Sequence, residues 1–237
     1  MTETMKIDIW SDIRCPFCYI GKRKFEKALD QFADKDSVEV VWRSFELDPN
    51  LETQPGINAV DHIAAIKGVS HEAAESMHGH VINVAKEAGL EFNFEKAVVA
   101  NSFNAHRLIQ LAKTKGLGNE AEEQLFKAHF TEGKNINDKE VLTQTGIAIG
   151  LDEKEITAML SSDAFAGAVR QDEQEAQAIG VRGVPFFVFI DRYAVSGAQS
   201  PDTFLQALQQ SWLSFEQDRT VALAGNGEAC LPGGNCN

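Results

Sequence analysis

The chain has little of two features that would indicate a nucleic-acid-binding or membrane protein. It has 22 lysines and arginines against 35 aspartates and glutamates, and its net charge is −13 at pH 7. Proteins that follow a phosphate backbone or an anionic bilayer depend on clustered basic residues, so we expect neither nucleic acid nor a membrane surface as a partner. No window approaches the roughly 18 apolar residues of a membrane-spanning helix.

A secretory leader is also missing from the N-terminus, MTETMKIDIW, which has no basic segment before a long apolar run. This predicts a cytoplasmic location, although a chain from which a leader had been removed would read the same. Cysteines are few, with four among 237 residues, namely Cys15, Cys18, Cys230 and Cys236. Structural disulfides are rare in the cytoplasm, where closely spaced cysteine pairs are usually catalytic or metal-binding.

What the chain does have is a hydrophobic fraction of 43%, enough for one large domain or a domain with an insertion. Its apolar patterning predicts an α/β protein with the order β-α-β, a block of about 120 helical residues, and then β-β-α. The predicted elements outside the block are strands at 5–10, 38–47, 184–190 and 193–197, a helix from Pro16 to about Asp34, and a last helix starting at Ser200-Pro201. The apolar run at 184–190 indicates a buried central strand.

These elements predict four segments. They are the first half of the α/β domain (1–57), a helical insertion (58–179), the second half of the α/β domain (180–217) and a flexible cysteine-containing tail (218–237). Inside the insertion, two pairs have capping-box spacing and predict helix starts, Asn137 with Glu140 and Asp152 with Glu155.

The stretch SDIRCPFCYIGKR places Cys15 at or near the start of the first helix and Cys18 one turn deeper on the same face. Free N–H groups and the positive end of the helix dipole converge at a helix start, and they stabilise a thiolate there. Arg14 favours the thiolate further and Asp12 opposes it. The pattern predicts that Cys15 is a nucleophile and that Cys18 resolves its mixed disulfides.

Two other interpretations of this pair stay open, a zinc site and an inert buried pair. Zinc requires about four ligands, usually from two closely spaced pairs. The second pair, Cys230 and Cys236, is spaced more widely and lies in the predicted tail. We therefore favour redox chemistry and expect no metal site.

Four blocks of sequence resemble the FrnE-type DsbA oxidoreductases of the thioredoxin superfamily: WSDIRCPFCYIGKRKFEKAL, NSFNAHRLIQLA, FTEGKNIND and GVRGVPFFVFI. The resemblance implies a thioredoxin-like fold with a large helical insertion. It also implies disulfide oxidoreductase or isomerase activity on protein or peptide thiols through a redox-active disulfide, Cys15–Cys18. Val184 and Pro185 would form a cis peptide beside that disulfide and shape the edge that binds substrate. No other cofactor is expected, glutathione or a thioredoxin-type protein is a candidate reductant, and a homodimer is one open oligomeric state.

The kappa-class glutathione transferases and the 2-hydroxychromene-2-carboxylate isomerases also look similar, and they provide the alternative function. Such an enzyme would use glutathione on a small aromatic substrate, but these families typically have serine where this chain has Cys15. The CPFC motif also lacks the histidine of DsbA. We therefore expect a less oxidising potential than the roughly −120 mV of DsbA, nearer about −180 to −230 mV.

The remaining candidates are a second cysteine pair and the histidines. Cys230 and Cys236 form either a passive local disulfide, or free thiols, or a relay that exchanges disulfides with Cys15–Cys18. The cluster of His71, His78 and His80 is interpreted as a solvated helix face. His106 lies in a block that matches the family, and we expect it either near the cleft above Cys15, contacting substrate, or satisfied within the core.

Overall fold

The computed structural model describes residues 3–225, and the side chains of residues 3–221. The described residues form four strands and nine α-helices. In chain order they are β1 (Met5–Ser11), α1 (Pro16–Gln31), β2 (Val38–Ser44), α2 (Ala59–Lys67), α3 (His71–Glu87), α4 (Phe103–Lys113), α5 (Gly118–Phe126), α6 (Lys139–Ala148), α7 (Glu153–Leu160), α8 (Ala166–Ala178), β3 (Phe186–Phe189), β4 (Tyr193–Ser196) and α9 (Pro201–Gly225). A short 3₁₀ turn precedes β2, and a π-helical turn, Lys127–Thr131, follows α5.

The strands form one mixed sheet in the order β2-β1-β3-β4. β1 pairs in parallel with β2, from Met5 opposite Val38 to Ser11 opposite Ser44. β3 lies antiparallel between β1 and β4, as the continuous apolar run predicted for a central strand. The carboxyl end of β1 leads directly into the loop that carries Cys15, so the sheet positions the start of α1.

Helix α1 contributes to two apolar cores. One contains Phe25 and Ala28 of α1 together with Phe187 and Phe204, and it joins the sheet to α9. The other contains Cys18, Tyr19 and Ile20 of α1 together with apolar residues of the helices between 58 and 179. The predicted insertion thus shares a core with α1 and does not form a separate one.

Helix starts inside this region are partly as predicted. Asp152 is the N-cap of α7, where its side chain accepts hydrogen bonds from the backbone N–H groups of Lys154 and Glu155. The prediction for Asn137 is wrong by one residue, because Asp138 is the N-cap of α6. Asn137 instead donates to Thr53 and accepts from Asn104, and so contributes to tertiary contacts.

Two predicted boundaries require correction. Residues 88–102 contain no helix, although almost all of the block was expected to be helical. Gly89 leaves the helical region with φ +79°, and Val99 bridges to Gln54. At the other end, α9 continues to Gly225, so residues 218–225 belong to this helix and not to the predicted tail. The stretch 213–224 contains no proline or glycine that would stop a helix.

Cys230 and Cys236 lie outside the described residues. Within the described part of the chain, no helix combines the length and the hydrophobicity that a bilayer crossing requires.

Candidate active site

Cys15 is the N-cap residue of α1, and Pro16 follows it in the first turn. The loop from β1 is fixed by a hydrogen bond from the Cys15 backbone N–H to the carbonyl of Asp12, at 2.9 Å. The Cys18 N–H donates in turn to the carbonyl of Cys15, at 3.0 Å. Both cysteines are free thiols, with 6% of Cys15 and none of Cys18 exposed. Cys15 thus stands at the helix start, as the spacing predicted, with Cys18 behind it.

The peptide bond that faces Cys15 belongs to residues that are distant from it in the sequence. The Val184–Pro185 bond is cis, and the Cys15 thiol donates to the carbonyl oxygen of Val184 at 3.4 Å. α1 approaches Pro185 closely, since a Cβ added at Gly21 would lie 2.9 Å from Pro185 Cγ. Val184 precedes β3, which begins at Phe186, so its backbone lies outside the ladder of the sheet.

The two thiols have different environments. Burial raises the pKa of the Cys18 thiol well above its usual value, and the neighbouring Cys15 raises it further. The nearby Ser11 hydroxyl offsets this only in part. Cys18 is therefore a protonated, inaccessible thiol in the reduced protein, whereas Cys15 keeps a small exposed area.

An ion pair, Asp12 with His106, lies beneath the cysteine loop. Asp12 Oδ1 is 3.5 Å from His106 Nε2, and both side chains are buried. Burial alone would lower the pKa of His106, but Asp12 outweighs it and the pKa is raised. The pKa of Asp12 is lowered, because His106 and two backbone N–H groups, those of Arg14 and Leu47, outweigh its burial.

This position corrects the prediction for His106. Its side chain is 1% exposed and lies in the core, so it does not contact substrate in the cleft above Cys15. It lies at ion-pair distance from Asp12 instead, and Asp12 accepts a hydrogen bond from the backbone N–H of Arg14, immediately before Cys15. The open alternative of a core histidine is the one that the structure supports.

Sequence reasoning missed Glu122, a buried carboxyl in the same region. Burial raises the pKa of Glu122 to about 7, against the opposing influence of Ser11, His106 and Lys22. Its Oε1 has no hydrogen-bond partner among the described residues. A signal was present, since Glu122 lies three and four residues before Leu125 and Phe126, at helical spacing from two apolar residues.

A cavity of about 640 Å³ opens beside Cys15, between α1 and the α2–α3 hairpin. Its walls are mainly apolar, and they include Ile63, Met77, Val81, Phe94 and Phe130. A volume of this size is ordinary for a site that binds a small molecule or a large side chain.

His78 also lines this cavity, which corrects its assignment to a solvated face. Its ring stacks on Phe94 with 4.3 Å between the centroids, because the segment after α3 folds back over the helix. His71 and His80 are exposed, as predicted, and His71 pairs with Asp61.

Comparisons with known proteins agree with this geometry. The DSBA-like thioredoxin domain family matches residues 6–209. The chain belongs to the DsbA-like thioredoxin family. A probable DsbA oxidoreductase from Streptomyces coelicolor is 37% identical, with a TM-score of 0.83 over 98% of this chain and 99% of that one. The uncharacterized protein YwbO of Bacillus subtilis is 30% identical over 86% of this chain and 96% of its own.

A more distant structure with the same fold is the cytosolic disulfide reductase DsbM of Pseudomonas aeruginosa with glutathione. It is 17% identical, with a TM-score of 0.64 over 87% of this chain and 98% of that one. The predicted thioredoxin-like fold with a helical insertion is confirmed, and DsbA-like proteins are thiol–disulfide oxidoreductases.

Within residues 3–225 this DsbA-like chain has no group of three or more histidine, cysteine or acidic side chains arranged to hold a metal ion.

Proposed function

We propose that this DsbA-like protein exchanges disulfides with protein or peptide thiols through Cys15 and Cys18, as a FrnE-type member of the family. The observation that carries the proposal is the position of Cys15 as the N-cap of α1, beside the cis peptide Val184–Pro185, with Cys18 buried one turn behind. A nucleophilic thiol requires access and stabilisation of its thiolate, and a resolving thiol requires proximity.

In the reducing direction, the Cys15 thiolate attacks one sulfur of a substrate disulfide. The substrate S–S bond breaks, a mixed disulfide with Cys15 forms, and one substrate thiolate leaves. Cys18 then loses its proton and attacks the Cys15 sulfur, which releases the second substrate thiolate and leaves a Cys15–Cys18 disulfide. Two electrons pass to the substrate, and the same steps in reverse oxidise a dithiol.

The buried groups account for the order of these steps. Cys18 keeps its proton while Cys15 is reduced, because burial and the adjacent sulfur both raise its pKa. When Cys15 reacts as a thiolate, formation of the mixed disulfide consumes its negative charge, so the neighbouring Cys18 thiol becomes easier to ionise. Glu122, with a pKa raised to about 7, lies in the same buried region and can take up a proton near neutral pH.

The substrate edge in this proposal is the backbone at Val184 and Pro185. Val184 lies outside the paired strand, so an extended substrate segment can lie beside it and present its sulfur to Cys15. Glutathione or a thioredoxin-type dithiol in the cytoplasm would restore the reduced pair. Because CPFC has no histidine between its cysteines, the proposed potential lies near about −180 to −230 mV.

Reduction of insulin by the full chain tests the proposal. Wild type should catalyse it with a thiol reductant, Cys15→Ser should be inactive, and Cys18→Ser should accumulate a mixed disulfide that mass spectrometry identifies. Turnover that survives in Cys15→Ser would contradict the proposal.

A matched control, the Cys230→Ser/Cys236→Ser double variant, removes the other two thiols. Retained turnover in this variant assigns the chemistry to the CPFC pair, whereas lost turnover assigns a relay to the second pair. The rival function, a glutathione-dependent isomerase or transferase, predicts no insulin reduction. It predicts instead that activity requires glutathione and a small aromatic electrophile.

A further inference from the structure

Four side chains that line the cavity beside Cys15 each have a buried nitrogen without a partner in residues 3–221. Among the described residues, no hydrogen bond reaches Arg14 Nη1, His62 Nε2, His78 Nδ1 or His129 Nδ1, and each of these atoms is buried. All four side chains line the cavity, and the His129 residue is only 7% exposed. Buried polar atoms are usually paired, so their presence around one apolar cavity indicates a ligand that carries hydrogen-bonding groups.

The charges at these side chains restrict the ligand. Burial lowers the pKa of His78, and it lowers the pKa of His129 to about 4, with the Arg14 charge acting in the same direction. Burial and, to a smaller extent, the positive charge of Arg14 also lower the pKa of His62. The three rings are therefore neutral at pH 7, and each offers one donor and one acceptor.

Arg14 is the positive group adjacent to Cys15, and its guanidinium forms no ion pair within the described residues. Asp48 also lines the cavity without pairing with Arg14, and Lys67 lies at the exposed end of α2. An unpaired guanidinium beside an apolar cavity suits one carboxylate on an otherwise apolar ligand.

The walls favour an aromatic ligand. Phe94 stacks with His78 and meets Phe130 edge to face with 6.0 Å between the centroids. Phe17, the second residue between the two cysteines, is 40% exposed and lies at the same cavity. Aromatic rings prefer stacked and edge-to-face partners, which these side chains offer next to the reactive sulfur.

We propose that this cavity selects disulfide substrates whose sulfur carries an aromatic or similarly large apolar group together with a carboxylate. The group occupies the cavity and its carboxylate pairs with Arg14. The inference rests on the proposed oxidoreductase function and specifies its substrate class.

Three model disulfides test this selectivity. The probes are 5,5′-dithiobis(2-nitrobenzoate), which is aromatic and carries carboxylates, 2,2′-dithiodipyridine, which is aromatic and neutral, and hydroxyethyl disulfide, which is neither. In each reaction the Cys15 thiolate forms a mixed disulfide and releases one thiolate. Cys18 then displaces the second thiolate and the protein becomes oxidised. Stopped-flow kinetics gives the rate constant of reduced protein with each probe.

Arg14→Gln should lower the rate with the dithiobis-nitrobenzoate about tenfold relative to the rate with dithiodipyridine, because a charge-assisted hydrogen bond is lost. The ratio of the two rates is the readout, since any effect of Arg14 on the reactivity of the Cys15 sulfur cancels between two aromatic disulfides. Lys27→Gln is the matched control, because Lys27 is an exposed cation of α1 that does not line the cavity. It should leave the ratio as in wild type.

Substitutions that fill the cavity test whether the aromatic group of the substrate occupies it. Val81→Trp should slow both aromatic disulfides relative to hydroxyethyl disulfide. Met77→Trp provides a second variant that is safer for folding, because Met77 is 42% exposed at the cavity wall. Circular dichroism confirms that each variant is folded before its rates are compared.

A pair of disulfide peptides, one with phenylalanine and glutamate beside its cysteines and one with serine and glutamine, distinguishes the source of the substrate. Preference for the first peptide identifies a polypeptide segment as the substrate, whereas selectivity among the small disulfides alone identifies a small molecule. An unchanged ratio in Arg14→Gln, together with unchanged relative rates in both tryptophan variants, overturns the inference. If none of the three disulfides reacts faster with wild type than with Cys15→Ser, the proposed function itself fails.

Discussion

The sulfur of Cys15 lies 3.4 Å from the carbonyl oxygen of Val184, a residue 169 positions further along the chain. This contact brings the helix start that follows β1 against the cis peptide that precedes β3. Cys18 lies on the other side of Cys15, fully buried and with a raised pKa. The two thiols therefore differ in access, and burial keeps Cys18 protonated.

Alkylation should reflect this difference. With reduced protein and iodoacetamide at pH 7, Cys15 should react about tenfold or more faster than Cys18, because the thiolate is the reacting form and a buried, protonated thiol reacts slowly. Peptide mass spectrometry measures the modification of each cysteine separately. Denaturation in guanidinium should bring the two rates together, and equal rates in the folded protein would contradict the assignment of nucleophile and resolving thiol.

Glu122 should make the free energy of unfolding fall as the pH rises from about 4.5 to about 7. Its pKa is raised to about 7 in the folded protein, so the folded state binds more protons than the unfolded state across this window. Glu122→Gln removes this dependence, and between pH 5 and 7 the variant should gain on the order of 2 kcal/mol relative to wild type. Urea unfolding at the two pH values measures the change.

The neighbouring carboxyl, Glu123, is the matched control with the opposite sign. Burial would raise the pKa of Glu123, but Arg23 and Lys22 outweigh it and lower the pKa below 4.5. Its stabilising contribution is present at neutral pH and is lost as the pH falls through the folded value. Glu123→Gln should therefore be most destabilising near pH 7 and least so in acid. The same pH trend in both variants would show that Glu122 is not held protonated by burial.

Removing His106 should destabilise the fold by about 3 kcal/mol, because it leaves the Asp12 carboxylate buried without its charged partner. The pKa of His106 is raised, so its contribution is complete below about 6.5 and is lost as the pH rises through the folded value. The destabilisation of His106→Gln should accordingly be larger at pH 6 than at pH 9.

A double-mutant cycle with Asp12→Asn separates the pair from the individual residues. We expect a coupling free energy of roughly 1–3 kcal/mol, which is usual for residues in direct contact. Additive effects of the two substitutions would mean that the two side chains act independently.

Gly21→Ala should destabilise the protein by about 1 kcal/mol or more and should lower insulin turnover, since the new Cβ would meet Pro185 Cγ at 2.9 Å. The control is Gly79→Ala in α3, where nothing lies within 4 Å of the added Cβ. There the gain in helix propensity should stabilise the protein by about 0.5–1 kcal/mol. Thermal unfolding compares the two, and stabilisation in both variants would argue against close packing of α1 on Pro185.

Periodicity and spacing were sufficient for the elements that carry the site. The alternation of apolar and polar residues at 5–10 and the continuous apolar run at 184–190 predicted the two central strands. Pro16 after Cys15 predicted the helix start. These features are local, because they depend on residues within one or two turns of each other.

The contacts that complete the site were not predictable in this way. Asp12 and His106 meet across 94 positions of sequence, and no local pattern specifies such a pair. His78 was assigned to solvent because helical periodicity identifies a face but not the segment that covers it, here Phe94. Glu122 was passed over for a related reason, since helical periodicity alone does not show that a carboxyl group among apolar residues is buried.

Because α1 packs in both cores, its position affects how the protein unfolds. Phe25 and Ala28 pack with the sheet and α9, while Tyr19 and Ile20 pack with the helices of the 58–179 region. Thermal unfolding of either the sheet with α9 or the helices of the 58–179 region would remove packing contacts from α1. The two parts should therefore unfold cooperatively in one calorimetric transition. The environment of the reactive Cys15 sulfur is lost in the same transition, so a partly unfolded form should have no activity.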